Sequence, residues 1–266
     1  MKNNELIIRP CDKGEIKPVV YGPWLKRIDG FEATEKSVFF SPQLKTGSIL
    51  ANAETGEAYF HVVGKIWLPG QGKKEETALL APLLEIRKTF AEKAELMLEV
   101  LKSPYACAII TLSDKGAQGL REDRTGPAIS DMLLARFPDM PISRYLLEDE
   151  MASLKALLVD LALVQKISLI VTNGGTGVGP RDITPQVTLQ VIDYELPGFS
   201  AVMNAASFNK TPNAIISRSV CGVLGRSLII NVPGSLKGAT ENLAVILPAL
   251  AHALDKLNGD MTDCGG

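Results

Sequence analysis

Several features that mark common classes of protein are scarce or missing in this sequence. Its 266 residues carry 28 Lys and Arg against 30 Asp and Glu, and this formal net charge of −2 predicts no nucleic-acid partner. The most apolar late segment, residues 243–254, is too short to span a bilayer, and residues 1–13 lack the apolar stretch of a signal peptide. The two histidines, His61 and His252, have no cysteine or second histidine at ligand spacing, which argues against zinc. We therefore expect neither a nucleic-acid nor a membrane partner.

Cysteine is also scarce. The four cysteines lie far apart and form no Cys-x-x-Cys pair: Cys11, Cys107, Cys221 and Cys264. A chain of this length reaches stability without disulfides, so the simplest expectation is a location in the reducing cytoplasm.

The pattern of the sequence changes near residue 103. Residues 1–74 contain short apolar stretches separated by Gly, Pro and Asp, which predict a small β-rich module. Apolar residues then recur at three- and four-residue spacing, so we expect residues 75–103 to form a connecting amphipathic helix. Residues 104–260 alternate buried-type strands, polar loops and helices, which is typical of an α/β domain with an open, mostly parallel sheet.

Four loops follow predicted strands of this domain, after Leu112, Leu147, Thr172 and Val232. Ligands bind at the carboxyl ends of the strands in such sheets. A further strand is expected at residues 214–219, and Thr184 is expected to cap a helix that has Pro185 as its first residue.

The loop at residues 172–182 is the most distinctive feature, with four glycines in six positions. Glycines let backbone N–H groups approach an anion closely. The loop is neither a Walker P-loop nor a dinucleotide fingerprint, because Pro180 and Arg181 occupy positions that those motifs reserve for other residues. An anion site and a plain structural turn both fit the pattern. Asp182 either reaches the ligand or helps to start the next helix, and Arg181 pairs with either a phosphate or an acid.

The other three loops carry polar side chains with two interpretations each. The first supplies Ser113, Asp114, Lys115, Asp123 and Arg124, either as ligand groups or as a solvated loop in which Asp123 caps a helix. Glu148, Asp149 and Glu150 are either a solvated turn or the ligands of a divalent cation. Pro233, Gly234 and Ser235 either line a site or simply connect strand to helix.

The distribution of charge bears on the ligand. Residues 1–103 hold 15 basic and 14 acidic residues, whereas residues 104–266 hold 13 and 16. A net acidic domain with an anion-binding loop is consistent with an anion that arrives with Mg²⁺, since the metal bridges carboxylates and phosphate oxygens. This predicts a Mg-nucleotide or another phosphorylated small molecule as ligand.

Taken together, the motifs resemble the MogA/MoaB family, the molybdopterin adenylyltransferases of molybdenum cofactor biosynthesis. The resemblance rests on Thr-Asn-Gly-Gly-Thr-Gly at residues 172–177, Arg-Asp-Ile-Thr-Pro at 181–185, Glu-Leu-Pro-Gly-Phe at 195–199 and Asn-Val-Pro-Gly-Ser at 231–235. The acidic residues 148–150 also match. The related domain of the molybdate-insertion enzymes usually has serine in place of Thr176 and lacks the Arg-Asp-x-Thr-Pro run.

The resemblance implies a three-layer α/β domain, often trimeric, that binds molybdopterin and Mg-ATP, transfers AMP to the terminal phosphate of molybdopterin and releases pyrophosphate. Gly174, Gly175, Thr176 and Gly177 would hold the pterin phosphate or the adenylate, and Asp149 and Asp182 would act through Mg²⁺. The same pocket would be lined by Ser113, Asp114, Asp123, Pro233, Gly234 and Ser235. Asn173 and Leu236 depart from the usual pattern, in positions where threonine and proline are common.

Two other functions are compatible with the sequence, and the first 103 residues lie outside the resemblance. A pterin-binding scaffold would keep the pocket without turnover, and a nucleotide pyrophosphatase would hydrolyse the nucleotide without pterin. The N-terminal module either handles substrate or serves oligomerisation and docking, including contacts with other cofactor-assembly proteins.

Overall fold

The structure is a computed structural model that describes residues 5–34, 37–40, 44–70, 78–101 and 105–259. It divides into two compact units, Met1–Pro104 and Tyr105–Gly266. Cys264 and the first residues of the expected connecting helix, up to residue 77, lie outside the described residues. Within the described ranges, no helix combines the length and the apolar character needed to cross a membrane.

The N-terminal unit is a closed barrel of seven strands. The strands are β1 (Glu5–Ile8), β2 (Ile16–Val20), β3 (Phe31–Ala33), β4 (Ile49–Asn52), β5 (Ala58–Leu68), β6 (Leu79–Ile86) and β7 (Ala94–Val100). They are arranged in the order β1-β3-β2-β6-β5-β4-β7, and β7 pairs again with β1. Buried apolar side chains, among them Leu6, Phe31, Phe60 and Leu84, fill its core.

The expected helix over residues 75–103 is wrong, because its described part forms strands β6 and β7. The run Leu-Leu-Ala-Pro-Leu-Leu-Glu-Ile is so apolar that it satisfies helical and strand spacing alike. Pro82 lies inside β6, where it pairs with Lys65, and a proline in a helix interior would have removed a hydrogen bond. Pairing with β5 and β2 therefore overrides the local helical pattern.

The C-terminal unit alternates strands and helices. Its strands are β8 (Cys107–Leu112), β9 (Ile142–Leu147), β10 (Leu169–Asn173), β11 (Tyr194–Glu195), β12 (Cys221–Leu224) and β13 (Ser227–Val232). Its helices are α1 (Asp114–Ala117), α2 (Thr125–Arg136), α3 (Met151–Val159), α4 (Thr184–Val191), α5 (Pro197–Phe208) and α6 (Leu236–Leu257). The strand expected at residues 214–219 is wrong, since Pro212–Ile216 form a 3-10 turn that begins with a proline.

These elements make a three-layer α/β unit around a mixed sheet of order β11-β12-β13-β10-β8-β9. The four strands β13, β10, β8 and β9 are parallel, whereas β12 and β11 are antiparallel to their neighbours. Alternate residues of β8 enter opposite cores, Cys107 and Ile109 on one face and Ala108 and Ile110 on the other. Helices α2, α5 and α6 cover the first face, and α3 and α4 cover the second.

Candidate functional site

The parallel strands bring the candidate loops to one edge of the sheet. Asn173 at the end of β10 lies opposite Thr111 of β8 and Val232 of β13, and Thr111 lies opposite Leu146 of β9. All four loops therefore leave the sheet side by side at its carboxyl edge.

A cavity of 510 Å³ lies at this edge. Eight of the residues predicted for the site line it: Ser113, Asp114, Asp123, Asp149, Gly174, Gly175, Gly234 and Ser235. Lys115, Arg121 and Arg124 also line it, so both signs of charge face the same space.

A second cavity of 290 Å³ lies beside a different part of the glycine loop. Thr176, Gly177, Pro233 and Ser235 line it, whereas Asp182 lines neither of these two cavities. The structure thus brings the predicted loops to one edge, and the predicted residues other than Asp182 are distributed over two cavities that share Ser235.

The glycines are required by the path of the loop backbone. Gly174 has φ +103°, and a Cβ built on it would lie 2.4 Å from the carbonyl oxygen of Leu112. Gly175 has φ +60°, and its Cβ would lie 2.6 Å from Thr184 Oγ1. Both conformations are unfavourable for residues with a side chain, so the loop is compatible only with glycine here.

Thr184 anchors the beginning of the loop. Its Oγ1 donates to the carbonyl of Gly174 at 2.8 Å, and its N–H donates to the carbonyl of Gly175 at 3.1 Å. The expectation that Thr184 caps α4 is wrong, because it is the first helical residue and Ile183 is the N-cap. The hydroxyl instead satisfies a buried carbonyl of the loop.

Asp182 closes the end of the loop. Its Oδ2 accepts a hydrogen bond from the N–H of Gly179 at 2.7 Å, and its own N–H donates to the Gly179 carbonyl at 3.0 Å. Its role in the structure is therefore to fold the loop back on itself, and Oδ1 accepts no hydrogen bond among the described residues.

Asp114, Arg181 and Asp149 form a charged cluster at the larger cavity. Arg181 donates from Nε to Asp114 Oδ2 at 3.1 Å and from Nη2 to Oδ1 at 2.6 Å, so Arg181 pairs with an acid. The N–H of Asp149 also donates to Asp114 Oδ1, at 3.0 Å. The hydrogen bond from Arg181 lowers the pKa of Asp114, whereas partial burial, and then the Asp114 charge, raise the pKa of Asp149.

Asp123 serves helix α2. Its carboxylate accepts hydrogen bonds from Thr111 Oγ1 at 2.8 Å, from the N–H of Thr125 at 3.0 Å and from the N–H of Gly126 at 2.9 Å. Two of these donors are backbone N–H groups at the start of α2, which Asp123 satisfies from the position before the N-cap residue Arg124, and the same residue lines the larger cavity.

The sequence analysis missed Arg218. Its guanidinium donates to the carbonyls of Gly177 and Asp182 at 2.7 and 2.8 Å. No motif signals this contact, because it joins a single arginine to backbone atoms 36 and 41 residues away.

Comparison with known proteins agrees with this architecture. Residues 108–252 match a family model described as a probable molybdopterin binding domain. A curated molybdopterin adenylyltransferase from Helicobacter pylori strain 26695 is 35% identical over 154 residues, which cover 57% of this chain and 87% of the relative.

Solved structures show the same unit. The molybdopterin biosynthesis enzyme MoaB from Thermus thermophilus is 44% identical with a TM-score of 0.55, covering 59% of this chain and 98% of that one. The tungsten cofactor synthesizing protein MoaB from Pyrococcus furiosus is 28% identical with a TM-score of 0.53, covering 59% and 99%. Through residues 108–252, the chain belongs to the molybdopterin-binding family that contains the MogA and MoaB proteins.

Proposed function

We propose that this protein transfers AMP from ATP to the terminal phosphate of molybdopterin and releases pyrophosphate, a step of molybdenum cofactor biosynthesis. The observation that carries the proposal is that Gly174 and Gly175 of the glycine loop, Asp149 and three cationic side chains line one 510 Å³ cavity. The Helicobacter relative aligned with this unit over 87% of its length is a molybdopterin adenylyltransferase, which supports the same reaction.

The reaction requires positioning rather than a protein nucleophile. The terminal phosphate of molybdopterin attacks the α-phosphorus of ATP, a new P–O bond forms there, and the bond to the leaving pyrophosphate breaks. Rate enhancement then depends on in-line alignment and on neutralising the phosphate charges. Loop residues Gly174, Gly175, Thr176 and Gly177 would hold the pterin phosphate or the adenylate through their close backbone approach.

The aspartate carboxylates near the cavity differ in how many hydrogen bonds already occupy their oxygens, and therefore in how available they are as metal ligands. Asp114 is held by Arg181 and Asp123 by three donors, whereas the raised pKa of Asp149 reflects a carboxylate whose charge its surroundings compensate poorly. We propose Asp149, with Asp182 contributing its free Oδ1, as the essential acids. Bound Mg²⁺ would supply charge neutralisation at the phosphates.

The donor set fits magnesium better than zinc. Across the described ranges, no three His, Cys, Asp or Glu side chains are grouped as ligands of one metal. Such a group is unnecessary for Mg²⁺, which proteins commonly hold with one or two carboxylates, phosphate oxygens and water. Lys115, Arg121 and Arg124 line the same cavity and would bind the remaining phosphate oxygens.

Pyrophosphate release tests the proposal. Wild-type protein is incubated with ATP and Mg²⁺, with and without molybdopterin, beside Asp149→Asn and the exposed neighbour variant Glu148→Gln as control. We expect release that requires molybdopterin, persists in Glu148→Gln and is lost in Asp149→Asn. Release without molybdopterin would indicate a pyrophosphatase, and pterin binding without release would indicate a scaffold; either result would refute the proposed transfer.

We also propose a homotrimer as the working form. The apolar side chains of Val202 and Phe208 on α5, and of Ile215 and Ile216 in the following turn, are between 49% and 75% exposed and are candidates for burial between subunits. Light scattering of the full chain should give three times the mass of one subunit, and a monomer at micromolar concentration would contradict this.

A further inference from the structure

The glycine loop is held by two separate anchors. Thr184 binds the carbonyls of Gly174 and Gly175, which line the larger cavity. Arg218 binds the carbonyls of Gly177 and Asp182 through its guanidinium, and its own N–H donates to the carbonyl of Thr176 at 3.0 Å. The part of the loop beside the smaller cavity therefore depends on Arg218.

The backbone that carries Arg218 is itself fixed to the sheet. Two residues further on, Val220 exchanges hydrogen bonds with Asn231 of β13: Asn231 N–H donates to the Val220 carbonyl at 2.9 Å, and Val220 N–H donates to Asn231 Oδ1 at 3.3 Å. The buried side chain of Asn231 also donates to Thr172 Oγ1 and Thr188 Oγ1, at 2.9 and 3.0 Å. Arg218 thus reaches the loop from a backbone tied to β10, β13 and α4.

Arginine is specifically suited to this contact. Nε donates to the carbonyl of Gly177 and Nη2 to the carbonyl of Asp182, so two donors of one planar group join both ends of a six-residue segment. A lysine has one terminal nitrogen on a flexible stem and cannot reproduce this fork. Asp182 depends on the contact because its carbonyl accepts Nη2 while its carboxylate closes the loop on Gly179.

We propose that Arg218 is a positioning residue that fixes the second half of the glycine loop, and with it the carboxylate of Asp182, without touching substrate. This inference rests on the proposed AMP transfer for its kinetic consequences. It predicts a selective effect, since Thr184 still holds the first half of the loop. Replacing Arg218 should raise KM for the substrate that uses the smaller cavity more than for the other.

The test uses the full chain with Arg218→Lys and Arg218→Ala. Arg226→Lys and Arg226→Ala are matched controls, because Arg226 is exposed in the tight turn between β12 and β13, away from both cavities. We expect both Arg218 variants to lower kcat/KM for AMP transfer about tenfold or more. Their melting temperatures should stay within a few degrees of wild type, and the Arg226 variants should match wild type in both measurements.

Amide hydrogen exchange gives a readout that does not need activity. The amides of Gly179 and Asp182, which bond within the second half of the loop, should exchange faster in the Arg218 variants. The amide of Thr184, which bonds to Gly175, should keep its protection. Millimolar guanidinium should partly restore activity to Arg218→Ala and leave Arg226→Ala unchanged.

Four results would overturn the inference: wild-type kcat/KM in Arg218→Lys, equal KM changes for both substrates, unchanged exchange at Gly179 and Asp182, or unfolding of both Arg218 variants. The last would assign Arg218 to folding. If the wild-type chain transfers no AMP, the proposed function fails, and hydrogen exchange alone then decides whether Arg218 positions the loop.

Discussion

The acidic residues at the carboxyl edge of the sheet carry the same formal charge but have different structural roles. Asp123 accepts three hydrogen bonds at the start of α2, Asp114 is paired with Arg181, and Asp182 folds the glycine loop. The pKa of Asp149 is raised, by partial burial and by the charge of Asp114. A carboxylate in that position destabilises the fold unless a cation joins it, which is a common property of functional acids.

Asp149→Asn should therefore stabilise the metal-free protein while abolishing AMP transfer. Because the folded pKa lies above its ordinary value of 3.8, ionisation of Asp149 makes the folded state less stable as pH rises through that interval, and the penalty persists above it. We expect the melting temperature of Asp149→Asn to exceed that of wild type by a few degrees at pH 7, and the difference to shrink as pH is lowered towards 3.8. Thermal unfolding across this pH range, with Glu148→Gln as control, measures it; a less stable Asp149→Asn would contradict the account.

Asp182→Asn should separate chemistry from binding. The amide oxygen of asparagine can still accept the N–H of Gly179, so the loop can keep its closure while the charge is lost. We expect AMP transfer to disappear. Pterin binding, measured by fluorescence titration, should remain detectable. Equal loss of both would instead mean that Asp182 serves only to shape the loop.

At the scale of elements, the sequence predicts the parts whose local pattern and tertiary environment agree. The fully buried runs of β8 and β10 have no alternation of polar residues and were recognisable as central strands. Strands β6 and β7 were mistaken for a helix because leucine-rich segments favour helix locally, and only pairing within the barrel decides otherwise. The sequence analysis also missed that β11 and β12 form an antiparallel edge of the C-terminal sheet. The direction of a strand depends on partners that are distant in the sequence, so no local pattern indicates it.

The sequence likewise predicts those residues of the candidate site that belong to local motifs, and misses those that act through backbone contacts. The glycine loop and the acids carry local motifs, so their positions at one edge followed from the order of strands. Arg218 and the Thr184 hydroxyl bind backbone carbonyls, which leave no pattern in the sequence. The division of the predicted residues between two cavities also depends on the exact path of the loop.

Gly174→Ala tests whether the loop backbone is as constrained as the structure indicates. At φ +103°, with its Cβ 2.4 Å from the Leu112 carbonyl, alanine should lower the free energy of unfolding by about 2 kcal/mol or more. Gly198→Ala is the matched control, because Gly198 lies in α5 with open space around its Cβ position, and alanine there should stabilise by up to about 1 kcal/mol. Urea unfolding of the full chain measures both; equal effects would contradict the geometry.

At the scale of the whole molecule, the barrel and the α/β unit have separate cores, and the family match at residues 108–252 lies within the α/β unit. The alignment with Thermus thermophilus MoaB covers 98% of that chain but only 59% of this one. The MoaB chain therefore folds without a counterpart of the barrel. We expect residues 105–266 to fold alone and to retain the kcat of the full chain for AMP transfer. Circular dichroism and a steady-state assay of both lengths check this, and an unfolded or inactive fragment would show that the barrel belongs to the catalytic unit.

The most direct test of the central claim follows the α-phosphate of ATP. The full chain is incubated with molybdopterin, Mg²⁺ and ATP labelled with ³²P at the α position, and the pterin fraction is separated and counted. Transfer of AMP predicts label in the pterin fraction, with unlabelled pyrophosphate released in equal amount, and loss of both in Asp149→Asn. Label found only in free AMP, or remaining in ATP while molybdopterin is bound, would contradict the account.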